Sequence, residues 1–347
     1  MKISHYLSSK ITVFYTLLIV MVVYIHSTYI EMFQYDVADF TWKFCGGFGL
    51  CMIANPLFFL ISGFFLVGGA TNVVDILIKL KKRMRTIVIP YVLWNVIFVL
   101  WYVVLAVIPG LERFNNSIGV LDVWLKKPVW ENVVNMLTGP AAFHLWFLRD
   151  LIWFMAVSPL LWWISRKSWV TAIVLSIIVN VWMPWIFWFW LGITISCQKW
   201  DTEKIPVNRW MFVMAGCVYV GYSLLSAFGL RDSLPDTFGL IGLAVVASSI
   251  YFVWILYDLL ACRRCLSEVG IWRHICGYSF FIYCFHEPAF NIIKKLGLVV
   301  FGSSEPVLII LYLVNPLIMV GLAIFVSKFM QKVRLFVPVY KVLIGGR

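Results

Sequence analysis

A helix that crosses a bilayer needs about 20 mostly apolar residues, because hydrocarbon offers no partner to unpaired backbone. This chain supplies such stretches repeatedly. Residues 11–30, 44–74, 86–111, 168–198, 210–230, 237–257 and 306–327 contain no Asp, Glu, Lys or Arg. Two further apolar stretches carry charge within them: 144–164 holds Arg149 and Asp150, and 277–293 holds Glu287. Of the 347 residues, 63% are hydrophobic and 13% charged, against about 45–50% and about 25% in an ordinary soluble domain. A water-soluble protein cannot hide that much apolar surface. The composition excludes a soluble enzyme, a nucleic-acid reader and a disordered chain. The fold class expected is all-α and polytopic, a single transmembrane domain over 1–347.

Residues 168–198 are too long for one span and short for two. Pro184, in Trp182-Met183-Pro184-Trp185, is the expected break between two short helices. The predicted spans then number ten, near 11–30, 48–68, 87–108, 144–164, 168–181, 183–198, 210–228, 238–258, 277–293 and 306–327. With both termini cytoplasmic, 20 of the 28 Lys and Arg fall inside and 7 outside, and Arg149 lies in a span. Lys2 and Lys10 are counted with the cytoplasmic N-terminus. A single span over 168–198 would invert everything after it and put 11 basic residues outside against 3 inside. The positive-inside rule therefore favours ten spans. The first apolar run has no small-x-small cleavage site after it and is expected to be retained in the cell membrane. The longest outer segment, 111–143, intersperses Val120, Val123, Trp124, Trp130, Val133, Val134 and Leu137 with polar residues. That pattern suits a helix lying on the outer interface.

Eight cysteines are scattered, and only Cys45 lies near the outside, so no outer disulfide is expected. Cys262 and Cys265 share a cytoplasmic loop with His274 and Cys276 close behind. Their spacing is irregular for zinc, and they are read as reduced bystanders, with no metal expected.

Titratable groups inside spans are costly and are functional candidates by default. At about 1.5 Å per residue, His26 lies about 20 Å from the inner end of the first span, in its outer half. Arg149 and Asp150 sit about 8 Å deep from outside, and His286 and Glu287 about 14 Å from the inner end of the ninth span. His144 lies at the outer rim. Each has a plainer reading: Arg149 and Asp150 as structural ion-pair members with other partners, since i,i+1 neighbours do not face each other, and His286 and Glu287 as helix-packing groups. On the inner side, Lys79, Lys81, Lys82, Arg83 and Arg85 precede the third span. They suit either an anchor to anionic lipid or a polyphosphate ligand. Ser62-Gly63 near the inner end of the second span allows close backbone approach, and Tyr91 and Trp94 are placed to stack on a base.

These motifs together resemble the membrane-integral acyltransferase family 3, ten-span O-acyltransferases of bacterial surface glycans. The likeness rests on residues 17–27 (LLIVMVVYIHS), 58–66 (FFLISGFFL), 80–94 (LKKRMRTIVIPYVLW), 144–151 (HLWFLRDL) and 278–288 (YSFFIYCFHEP). The resemblance implies transfer of an acyl group, usually acetyl, from cytoplasmic acyl-CoA to a hydroxyl on an outward-facing glycan. It casts acyl-CoA as co-substrate, with no tightly bound cofactor. It makes His26 the catalytic histidine, and Arg83 and Arg85, with Lys81 and Lys82, the holders of the CoA phosphates. One position departs: the family often has Arg or Lys eleven residues before the histidine, and here that residue is Tyr15. Chemically, a hydroxyl attacking a thioester needs a base and donors for the developing oxyanion. His26 suits the base, Asp150 or Glu287 suits the role of orienting it, and Arg149 suits an oxyanion or an anionic acceptor. No G-x-S-x-G elbow is present. The alternative is a proton-coupled secondary transporter that uses His26, Asp150, His286 and Glu287 as relay groups, with spans broken near Pro56, Pro184 and Pro316.

Overall fold

The computed structural model describes residues 3–108, 127–203, 205–230, 239–261, 265–268 and 270–346. Among them the regular structure is helical. The helices are α1 (His5–Ile25), α2 (Asp36–Cys45), α3 (Ala54–Val67), α4 (Val73–Arg83), α5 (Ile89–Val107), α6 (Val129–Thr138) and α7 (Trp146–Lys167). They continue with α8 (Trp169–Asn180), α9 (Ile186–Gln198), α10 (Arg209–Ala227), α11 (Leu240–Ala261), α12 (Gly270–Phe301), α13 (Glu305–Lys332) and α14 (Val337–Leu343). Among the described residues, seven helical segments are long and apolar enough to cross a membrane, and α8 and α9 are shorter apolar helices. The all-α polytopic expectation holds. The break expected at Pro184 falls between α8 and α9, where Trp185 takes a left-handed turn at φ 75°. Much of the expected outer helix, 109–126, lies outside the described residues. The described part, α6, exposes Trp130, Val134 and Leu137, an i, i+4, i+7 stripe.

Local chemistry explains the element ends. Ser4 caps α1 by accepting from the Leu7 N–H at 3.0 Å, and Asn208 caps α10 by accepting from Trp210 and Met211 at 3.0 and 3.1 Å. Each satisfies donors that the first turn leaves over. The start of α2 is capped from a distance: the Glu305 carboxylate accepts the Val37 and Ala38 N–H groups at 2.9 and 3.1 Å. Between α4 and α5 the helix continues through a wider π turn at Met84–Val88. Pro90 follows directly and has no N–H to give the carbonyl four residues earlier.

The chain divides into two compact units. The first comprises Met1–Ile76, Val157–Ser279 and Ser303–Leu317; the second comprises Leu77–Ala156, Phe280–Gly302 and Ile318–Arg347. In the first, α3 packs tightly on α9. A Cβ built at Gly63 would lie 2.0 Å from the Phe189 carbonyl oxygen, and one at Gly192 would lie 2.0 Å from that of Leu60. Only glycine permits so close a crossing, a packing mode familiar between membrane helices.

The first unit also corrects the reading of Lys10. It is no loop charge but an α1 residue whose side chain is fully buried. Its ammonium donates to both Asp258 oxygens at 2.8 Å and lies 4.0 Å from the centre of the Trp254 ring. Tyr6 donates to the same carboxylate at 2.6 Å. The counter-charge and the aromatic face offset the cost of desolvating the ammonium. With Lys10 absorbed, α1 starts at His5 and ends at Ile25, and does not run over 11–30.

In the second unit, the Trp94 indole donates to the Leu343 carbonyl at 3.1 Å. Its ring meets Phe281 and Phe285 edge-on at 5.7 and 6.5 Å. Phe281 in turn packs on Tyr340, whose hydroxyl accepts from Ser327 at 2.6 Å. These contacts fix α5, α12 and α14 around one aromatic core.

Candidate functional site

The first unit holds His26, Ser62 and Gly63. His26 is the C-cap of α1, half-buried, with its N–H bonded to the Val23 carbonyl at 3.2 Å. A helix beginning at His5 places it about 30 Å from the helix start, so it sits at the far end of α1 and not part-way along it. Gly63 is the α3–α9 contact described above. Its open face meets the Phe189 backbone, so it serves helix packing in place of the ligand approach expected from the sequence. Ser62 beside it is half-buried.

The second unit gathers a polar cluster along α5, α7 and α12. His144 and His286 are both buried, and their rings meet edge to face at 5.1 Å. Nδ1 of His286 lies 2.8 Å from the Tyr283 carbonyl oxygen, and Nε2 of His144 lies 3.1 Å from that of Cys284. A carbonyl only accepts, so each of these nitrogens carries the proton. Tyr283 donates its hydroxyl to the His144 carbonyl at 2.5 Å, and Phe98 lies 5.6 Å from the His144 ring. Two imidazoles are thus held against packed helices, with one nitrogen of each directed at a backbone carbonyl.

Arg149 and Asp150 stand near the start of α7 and pair with each other, contrary to the i,i+1 expectation. Arg149 Nε lies 2.8 Å and Nη2 2.7 Å from one Asp150 oxygen. The long arginine stem lets the guanidinium fold back onto its neighbour. Its remaining arm, Nη1, donates to the Thr138 carbonyl at 2.7 Å, and Trp153 donates to Leu137 at 3.0 Å. A cation at a helix C-terminus is well placed against the dipole. Arg149 therefore ties α6 to α7. Glu287 is buried, 3% exposed, and within electrostatic reach of Tyr102.

The basic stretch lies on continuous helix. Lys81, Lys82 and Arg85 are exposed, and Arg83 is half-buried. Tyr91 and Trp94, expected to stack on a base, are 2% and 5% exposed. Trp94 is engaged by Leu343, Phe281 and Phe285, and the Tyr91 carbonyl accepts from Asn95 at 2.8 Å. They build the core beneath the basic stretch. Sequence reasoning undervalued His144 and Tyr283, whose partners come from a helix some 140 residues away. The signal available was that His144 opens one of the recognisable stretches and Tyr283 sits inside another.

Comparison with known proteins places the chain in a family. The model of a family described as "Acyltransferase domain" matches residues 11–327. The chain is 25% identical over 301 residues to the "Succinoglycan biosynthesis protein ExoH" of Rhizobium meliloti (strain 1021), covering 81% of this chain and 78% of that protein. No solved structure matches.

Proposed function

This chain belongs to the acyltransferase family whose model spans residues 11–327, and from that premise we propose that it is a membrane O-acyltransferase using acyl-CoA as donor and an outward-facing glycan as acceptor. The observation that carries the reading is the family match itself, which takes in almost the whole chain. The acceptor class is drawn by analogy from the relative named for succinoglycan biosynthesis. Ten spans, both termini in the cytoplasm and residence in the cell membrane belong to the same reading.

The second unit supports it with a spatial argument. Arg85 and Phe98 lie on one continuous helical run, thirteen residues apart, which is about 20 Å of rise. Cations suited to diphosphate therefore stand at one end, and Phe98, 5.6 Å from the His144 ring, stands farther along the same helix. A donor held by its phosphates would extend its acyl arm along that axis. Charge-assisted contacts to phosphate are the strong ones, and Lys81, Lys82, Arg83 and Arg85 supply them.

In the proposed reaction the acceptor hydroxyl oxygen attacks the thioester carbonyl while His26 takes the hydroxyl proton. The tetrahedral oxyanion collapses, the carbon–sulfur bond breaks, and the departing CoA thiolate takes up a proton. His286 and His144 are buried in the second unit, where fixed dipoles act more strongly than in water. Glu287 follows His286 on α12 and adds a buried carboxylate to the same unit. Acetyl is the acyl group proposed.

The test is incubation of purified protein with acetyl-labelled CoA and surface glycan. Release of free thiol together with label on the glycan is expected. Intact thioester and unlabelled glycan under conditions where the protein binds CoA would contradict the reading.

A further inference from the structure

A second constellation stands in the first unit, apart from every group used above. His5 opens α1, and Cys265 and Glu268 flank the short turn that precedes α12. Nδ1 of His5 lies 3.2 Å from Sγ of Cys265. One ligand atom from each of His5, Cys265 and Glu268 falls within 4.8 Å of the others. Cys265 is a free cysteine.

Local structure makes the grouping a consequence of the fold. The Glu268 N–H bonds to the Cys265 carbonyl at 3.0 Å, which closes a 3₁₀ turn. In such a turn, side chains three residues apart eclipse each other, so thiol and carboxylate leave on the same side. His5 is held opposite them because α1 is locked to α11 by the buried Lys10–Asp258 pair and the Tyr6 bond, both within five residues of it. Thr16 adds a bond to the Trp272 carbonyl at 2.8 Å, tying α1 to the start of α12. The three side chains are thus brought together by helices fixed elsewhere.

One thiol, one imidazole and one carboxylate form the borderline-soft donor set that zinc takes in tetrahedral sites. Zinc bonds of about 2.3 Å to sulfur and 2.0–2.1 Å to nitrogen put the two ligand atoms about 3.5 Å apart at a tetrahedral angle. The observed 3.2 Å is close to that. We infer that His5, Cys265 and Glu268 form a zinc site that clips the start of α1 to the turn before α12, with water as the fourth ligand. Binding replaces the thiol proton by the metal and releases that proton.

The test uses the full-length protein in detergent with Co²⁺ as optical probe, followed by zinc competition. One equivalent of Co²⁺ should give a thiolate charge-transfer band, and Zn²⁺ should abolish it. Cys265→Ser should remove the band. His5→Gln and Glu268→Gln should each weaken binding about tenfold or more, as loss of a ligand or its support typically does. Cys217→Ser, an exposed cysteine away from the site, should leave the band and affinity unchanged. Absence of a band in the wild-type protein, or an unchanged band in Cys265→Ser, would overturn the assignment. The readout is independent of acyl transfer, so its outcome and that of the proposed activity are separable.

Discussion

At the scale of single residues the account rests on groups that burial makes costly. His26 is assigned the proton transfer, and a base acts in the transition state more than in the bound ground state. His26→Ala should lower acyl transfer about 10²–10⁴-fold while calorimetry shows acyl-CoA affinity unchanged. Turnover within about threefold of wild type would remove His26 from the mechanism. Lys10 makes a contrasting, structural prediction. Lys10→Met takes the counter-charge from the Asp258 carboxylate, whose side chain is 18% exposed and which keeps the Tyr6 hydroxyl, and should cost up to about 3 kcal/mol. Lys10→Met combined with Asp258→Leu should recover most of that loss, because an apolar pair replaces a desolvated one. A double-mutant cycle on thermal unfolding checks both, and an additive result would show that the two charges are not coupled. Lys10 also marks where sequence reading ran out. A lysine near the start of an apolar run reads as a loop charge, and its partner is 248 residues further along the chain.

Elements were more legible than their contacts. Uncharged runs located the long helices, and Pro184 located the break between α8 and α9, because both signals are local. The role of Gly63 was not local: a glycine next to a serine suits ligand approach equally well until the facing helix is known. Gly63→Ala forces a Cβ against the Phe189 carbonyl and should lower stability by about 1–3 kcal/mol, as overpacking does. Gly221→Ala, where a Cβ would meet nothing within 4 Å, should leave the melting temperature the same or slightly raised. Equal effects at the two positions would contradict the close crossing of α3 and α9. The charged run from α4 into the π turn carries the donor-binding prediction. Replacing Lys81, Lys82, Arg83 and Arg85 by Gln should weaken acyl-CoA binding over a hundredfold, a loss of about 3 kcal/mol. Calorimetry showing unchanged affinity would return the stretch to a lipid-anchoring role.

For the whole molecule, composition settled that the chain is a membrane protein, and the family match settled the kind of enzyme. Periodicity could not supply the pairing of His144 with His286, which needs α7 and α12 in place, nor the meeting of His5 with Cys265. The central claim is that the chain adds acyl groups to a glycan and does not move the glycan itself. Mass spectrometry of the surface glycan from cells with and without the chain tests this most directly. The account predicts glycan of unchanged length and amount that lacks its acyl mass when the chain is absent, restored by the wild-type chain and not by His26→Ala. Loss of the glycan from the surface, or acyl content that is the same in both cells, would contradict it.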